Sequence, residues 1–338
     1  MVTSDWLDRL ASPTLTPHAS PLITCPNSRT PCYSLTPKYT PAQLVNRLNT
    51  LLLYLLPHHM LSRAMYRLAR LRIAPLKNLM IRLFVRRFRV DLNEALKTRP
   101  EDYPDFNSFF TRALRPGARP VVAGEDELAC PVDGAVSQCG PLRGGRLIQA
   151  KGMDYSLETL LGGALPGTGE LAEHGVFATL YLSPRDYHRI HMPLRGTLRH
   201  MRFIPGKLFS VNAWSAAHVP GLFTRNERVV TVFDSEAGPL VMVLVGAIFV
   251  ASMETVWAGE LHPGGPQDTA YGDSAPPITL EKGAEMGRFN MGSTVIVLMD
   301  GRRVALAPHL APGRAVRMGE LLGQMKTGGG GHDDSPGV

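Results

Sequence analysis

Cysteine is scarce in this 338-residue chain: Cys25, Cys32, Cys130 and Cys139 are the four present, and no two stand in the C-x-x-C spacing of a zinc site. That is also far below the density of a secreted disulfide scaffold, so a reducing compartment is the simplest reading. Acidic residues are missing from one long segment. Residues 9 to 90 hold thirteen Lys or Arg and no Asp or Glu, leaving 23 basic against 29 acidic residues elsewhere, so the net charge of +7 belongs to that segment. Charge so concentrated points to an anionic partner, either nucleic acid or a membrane surface. Aromatics are only 7% of the chain. No basic patch is interleaved with them and no nucleic-acid-binding motif is present, which disfavours nucleic acid. No apolar run is long enough to span a bilayer, and residues 1 to 40 lack the apolar core of a signal peptide.

Those first forty residues are rich in Pro, Ser and Thr and are expected to be a disordered leader, with the functional part starting after it. From Pro41 onward Leu44, Leu48, Leu51, Leu52, Leu55 and Leu56 make a short apolar helical stretch that stops at Pro57. Two further stretches, Met60 to Ile73 and Leu76 to Leu96, place apolar residues at helical spacing among Arg63, Arg67, Arg70, Arg72, Arg82, Arg86, Arg87 and Arg89. With no acid up to Val90, they read as basic amphipathic helices on an anionic membrane surface, where each basic residue contributes about 1 kcal/mol. A short helix over Phe106 to Arg112 runs into a proline-rich connection, and a boundary is placed near residue 115. Beyond it, Val176 to Leu182, Gly196 to Phe203, Arg228 to Phe233, Pro239 to Val250, Ser293 to Met299 and Arg303 to Leu306 read as strands between Gly and Pro punctuation. The fold class is therefore α+β, N-terminal amphipathic helices followed by a mainly antiparallel β core. Its divisions are a leader (1–40), a basic helical region (41–115), a β-rich catalytic domain (116–326) and a glycine-rich tail (327–338).

Three clusters carry chemistry. In Met291-Gly292-Ser293-Thr294 a serine follows a glycine and precedes the apolar run Val295 to Met299. Ser293 is thus either a hydrolase nucleophile or a hydroxyl able to attack the peptide bond before it. No G-x-S-x-G elbow surrounds it. Pro131-Val132-Asp133-Gly134 alone reads as a turn. His188 and His191 stand three apart, but no third ligand or HExxH pattern accompanies them, so no metal is expected. An aspartate, a histidine and a hydroxyl together are the parts needed to orient a base, remove a proton and attack a carbonyl. Lys207 is a candidate phosphate contact, read more simply as a solvated loop lysine.

Longer blocks narrow the choice. QAKGMDYSLETLLGG, YLSPRDYHRIHMP, PGKLFSVN, LFTRNERV, VGAIFVASMETVWAG and EMGRFNMGSTVIV, in that order, resemble the pyruvoyl-dependent phosphatidylserine decarboxylase family over roughly residues 44 to 324. The family's cleavage motif commonly reads LGST; Met291 here keeps the apolar volume. The resemblance implies that His191, oriented by Asp133, is the base toward Ser293, whose oxygen attacks the Gly292 carbonyl. The ester formed then opens to a dehydroalanine that hydrolyses to a pyruvoyl group. The products are a β chain (1–292) and an α chain (293–338) capped by the cofactor. The pyruvoyl ketone would form a Schiff base with phosphatidylserine, His188 would reprotonate the substrate after carbon dioxide leaves, and phosphatidylethanolamine would be released. Peripheral attachment at the cytoplasmic face of the bacterial inner membrane is also implied, and a homo-oligomer is compatible with the sequence. The competing classes are a pyruvoyl decarboxylase of a soluble amino acid, a serine hydrolase and a non-catalytic membrane-binding module.

Overall fold

The computed structural model describes residues 57–150, 152–248, 252–261, 267–272, 276–290 and 293–326. The leader, the apolar stretch up to Leu56, Met291, Gly292 and the tail from Thr327 lie outside them.

Proline and a left-handed turn set the ends of the first two helices. Helix α1 (His58–Ala69) starts after Pro57, and α2 (Ala74–Phe88) carries Pro75 in its first turn, where a missing N–H costs nothing. The helical pattern predicts that α2 continues to Leu96, but it ends at Phe88. Arg89 turns left-handed, φ 55°, and the Val90 N–H closes onto the Val85 carbonyl at 3.1 Å. Helix α3 (Phe106–Phe110) is capped by Asp105, whose carboxylate accepts from the Ser108 N–H at 2.8 Å. It buries Phe106, Phe109 and Phe110 with Ile81 and Val90 in a small aromatic core around Phe84 of α2. No helix among the described residues is long and apolar enough to cross a membrane.

The rest is mostly strand. In order come β1 (Glu127–Ala129), β2 (Gly134–Pro141), β3 (Arg146–Ala150), β4 (Met153–Ser156), α4 (Leu157–Leu161), α5 (Leu171–His174), β5 (Gly175–Leu182), β6 (Arg189–His191), β7 (Gly196–Ile204), α6 (Ala213–His218) and α7 (Leu222–Arg225). Then follow β8 (Arg228–Ser235), β9 (Gly238–Gly246), β10 (Met253–Thr255), β11 (Gly259–Leu261), β12 (Gln267–Ala270), β13 (Thr279–Leu280), β14 (Glu285–Phe289), β15 (Ser293–Asp300), β16 (Val304–Leu306), β17 (Ala315–Val316) and β18 (Leu321–Met325).

A nine-stranded antiparallel sheet runs β12-β7-β8-β9-β15-β5-β2-β17, with β13 also on β7. Its central strand β15 is buried along its whole length, which is why Val295 to Met299 reads as an unbroken apolar run. On one face Val295, Val297 and Met299 of β15 line up with Leu240, Met242 and Leu244 of β9, Val229 and Phe233 of β8, and Leu180 and Leu182 of β5. A second sheet, β11-β10-β14-β6, lies over that face and adds Ile190, Met253, Met286 and Phe289 to the same core. The α+β class and the antiparallel core match the sequence expectation.

The Pro131 to Gly134 stretch, expected as a turn, leads instead straight into β2. Gly134 is required there because a Cβ would sit 2.2 Å from the Tyr181 carbonyl oxygen of β5. Gly134→Ala is therefore expected to cost at least about 1–3 kcal/mol, since backbone on both sides must move; urea unfolding of the variant checks this.

Candidate active site

Three of the four residues picked from the sequence stand at one end of the neighbouring strands β15, β5 and β2 of the large sheet. Asp133 immediately precedes β2, Ser293 opens β15, and the turn 183–187 that leads to His188 leaves β5. Ser293 pairs with Leu182 on one side and Gly246 on the other. Its side chain is fully buried, and the hydroxyl has no hydrogen-bond partner among the described residues. A buried unpaired hydroxyl costs about 1–3 kcal/mol, so this serine is poorly suited to a structural role.

His188 stands at the Ser293 end of the small sheet. Its carbonyl accepts from the Phe289 N–H at 3.0 Å, four residues before Ser293. Its Nε2 donates to the carbonyl of Ser183, the residue after the pairing partner of Ser293, at 3.1 Å. A carbonyl only accepts, so Nε2 carries the proton and Nδ1 is bare; no partner for Nδ1 is found among the described residues. The ring is fully buried and stacks on Phe110 of α3 at 4.1 Å. Burial, helped by the nearby Arg112 guanidinium, pushes the imidazole down to about 3, so it is uncharged at neutral pH. At rest the neutral imidazole has its bare Nδ1 free to take up a proton.

His191 pairs with Glu285 of β14, and its N–H donates to the Pro131 carbonyl at 2.9 Å, two residues before Asp133. Its Nδ1 donates to the Gly283 carbonyl at 2.8 Å, and Nε2 accepts from the Tyr187 hydroxyl at 3.0 Å. Burial lowers its pKa. Asp133 makes no hydrogen bond to it among the described residues. Instead Asp133 accepts from Arg119 at 2.5–3.1 Å and from the Met318 N–H at 2.8 Å. Asp133 lines a polar cavity of about 330 Å³ together with Arg89, Glu94, Arg119, Asp186 and Tyr187, the last being the residue whose hydroxyl holds His191.

Several residues around these groups escaped the sequence reading. Phe110 was read as part of a helix without a function, yet it forms the wall of the His188 pocket. Arg119 sits in the connection taken as a boundary, and its pairing with Asp133 spans 14 residues with no periodic signal. Tyr187 lies inside a quoted block and holds His191. Arg112 donates to the Arg185 carbonyl at 2.8 Å and fixes the turn before His188. Lys207 is exposed in the loop before α6. Among the described residues no group of three or more His, Cys, Asp or Glu is placed to hold a metal ion.

The phosphatidylserine decarboxylase family model matches residues 106–324, and a second model, described as PSD, matches residues 48–89. Among similar proteins are three named phosphatidylserine decarboxylase proenzyme. The one from Azotobacter vinelandii is 52% identical over 80% of this chain and 96% of its own length. That from Bordetella petrii is 54% identical over 81% and 96%, and that from Psychromonas ingrahamii 50% identical over 82% and 98%. With half of the residues shared over nearly the whole length of these relatives, and the family model matching residues 106–324, the chain belongs to the phosphatidylserine decarboxylase family.

Proposed function

We propose that this chain decarboxylates phosphatidylserine to phosphatidylethanolamine, and that it is a proenzyme cut between Gly292 and Ser293 to give the β chain 1–292 and the α chain 293–338. The observation that carries this is Ser293: buried, paired through its backbone on both sides, and with its hydroxyl unengaged. A pyruvoyl group derived from Ser293 fits there, since no side-chain hydrogen bond is lost when the hydroxyl is replaced. Its ketone would supply an electron sink for the pair left as the carboxylate departs as carbon dioxide.

The chain's own residues would divide the proton traffic. In the precursor, His191 is proposed as the base toward Ser293, oriented by Asp133, which follows by two residues the Pro131 carbonyl that accepts from the His191 N–H. In turnover, the bare Nδ1 of His188 is proposed to take a proton from the substrate ammonium, because only the neutral amine can attack a carbonyl. The covering of His188 by Phe110 keeps water from that nitrogen.

A lipid substrate is supported by the outer surface of α1 and α2. Met60, Leu68, Leu71, Ile73, Leu76, Leu79 and Leu83 are all exposed beside Arg63, Arg67, Arg72, Arg86 and Arg87. A soluble amino-acid substrate would give no reason for this combination. We propose peripheral attachment to an anionic membrane, at the cytoplasmic face of the inner membrane. The test is co-sedimentation with vesicles containing phosphatidylserine or phosphatidylglycerol. Leu79→Gln and Leu83→Gln together should weaken binding by about tenfold or more, the effect of withdrawing two partly buried leucines from an apolar layer. Raised salt should weaken it further. Unchanged co-sedimentation in both arms would contradict attachment through these helices.

A further inference from the structure

We infer that Glu227 is the acid that returns a proton to the substrate α-carbon at the Ser293 site; the inference rests on the function proposed above. Sheet register places it there. The Glu227 carbonyl accepts from the Gly246 N–H at 2.8 Å, one step beyond the Arg228 to Val245 pair, and Gly246 is the β9 partner of Ser293. Residues paired across antiparallel strands share a face. Glu227, Gly246, Ser293 and Leu182 thus form a row on the face that carries Val229, Leu244, Val295 and Leu180. Glu227 and Ser293 are two strand spacings apart, roughly 10 Å between Cα atoms, and the residue between them is a glycine that contributes no side chain.

The backbone at Glu227 is fixed on both sides. Its N–H donates to the Lys207 carbonyl at 2.8 Å. The neighbouring Asn226 amide donates to the Phe209 and Gly246 carbonyls at 2.8 Å each, and its oxygen accepts from the Phe209 N–H at 3.1 Å. The side chain itself is 4% exposed and takes part in no hydrogen bond or ion pair among the described residues. The charged groups of the surrounding elements are Lys207 in the preceding loop, Arg225 of α7, Arg228 of β8 and His58 of α1. Arg228 is occupied by the carbonyls of Leu160, Thr224, Asn226 and Thr159. None of them offsets desolvation, which pushes the Glu227 carboxyl up to about 7.

Ser293 has a titrating group on each side: across Leu182 the imidazole of His188, uncharged at neutral pH, and across Gly246 a carboxyl that holds its proton well above the usual carboxylate range. Environments that drive two titrating groups apart mark the acid and the base of a site. When the bond from the α-carbon to the carboxylate breaks, carbon dioxide leaves and the electron pair remains on the substrate. That pair forms the new C–H bond with the Glu227 proton, and the carboxylate left behind is reprotonated from solvent.

Glu227→Gln, isosteric with the neutral acid, tests this in the full-length protein. Expected are normal cutting into two chains, a ketone still trapped by an amine plus borohydride, and a fall of about 10²- to 10⁴-fold in product formation. Wild-type turnover should decline as pH rises through about 7, because the acid form is lost, and that limb should vanish from the residual activity of the variant. In uncut Ser293→Ala protein, ¹³C NMR of labelled glutamate should show one carboxyl titrating near neutrality, absent when Glu227→Gln is added. Should Glu227→Gln melt early, Glu227→Asp decides: partial turnover with the limb kept supports the assignment. Full turnover or an unchanged pH profile in Glu227→Gln, an uncut chain at normal melting temperature, no near-neutral carboxyl, or an Asp variant without the limb would overturn it. An uncut wild-type chain would instead refute the proposed function and leave Glu227 aside.

Discussion

Ser293→Ala is expected to yield a single uncut chain with no measurable decarboxylation. Two losses coincide in one atom: the hydroxyl oxygen is the nucleophile for chain cutting, and once acylated it is the leaving group whose departure makes the dehydroalanine. Removing a nucleophile on which all later steps depend lowers the rate by roughly 10⁶-fold in comparable cases, which here means background. The fold should not suffer. The Ser293 hydroxyl is buried without a partner, so its removal relieves an unpaired polar group, and the melting temperature should stay level or rise slightly. A gel and a melting curve on one preparation separate lost chemistry from lost structure. A two-chain pattern in this variant would overturn the assignment of Ser293.

The two histidines should separate processing from turnover. His191→Ala is expected to accumulate precursor, while His188→Ala is cut into two chains and loses about 10²- to 10⁴-fold in turnover, the usual worth of a positioned proton-transfer group. His188→Gln serves as the packing control, because deleting the ring opens a cavity against Phe110. For Asp133 the geometry dictates the variant. Asp133→Ala would leave the buried Arg119 guanidinium with Glu94 alone and the Met318 N–H without its acceptor, at a cost of about 1–3 kcal/mol, so Asp133→Asn is the cleaner probe and should slow cutting without unfolding the chain. Paired gels and carbon dioxide release assays on these variants decide the roles. Uncut His188→Ala, or fully cut and active His191→Ala, would reverse them.

How much of this was legible in the sequence depends on whether the cause is local. Strands β5, β7, β8 and β15 were readable because alternation and continuous apolar runs report burial directly. Ser293 was readable because glycine, serine and an apolar strand adjoin in the chain. The end of α2 at Phe88 was not, since the left-handed turn at Arg89 interrupts an apolar pattern that continues to Leu96. Nor could spacing show that Asp133 is held by Arg119 and the Met318 N–H, or that His188 is walled by Phe110, 78 residues earlier in the chain. His188 and His191 look equivalent on paper. The antiparallel register of β6 with β14 tells them apart: the His188 carbonyl accepts from the Phe289 N–H, while His191 pairs with Glu285 and bonds to the Pro131 carbonyl. Glu227 gave no signal beyond being an acid ahead of Val229 to Phe233; its meaning comes from the strand two places away.

The most direct test of the account is the intact mass of the purified wild-type protein under denaturing conditions, combined with N-terminal sequencing of each fragment. Two chains divided between Gly292 and Ser293 are predicted. The smaller should be blocked to sequencing and lighter, by the mass of one ammonia, than a chain beginning with serine. A single chain of 36.9 kDa, or a smaller fragment that begins with a free Ser293 amine, would contradict the account.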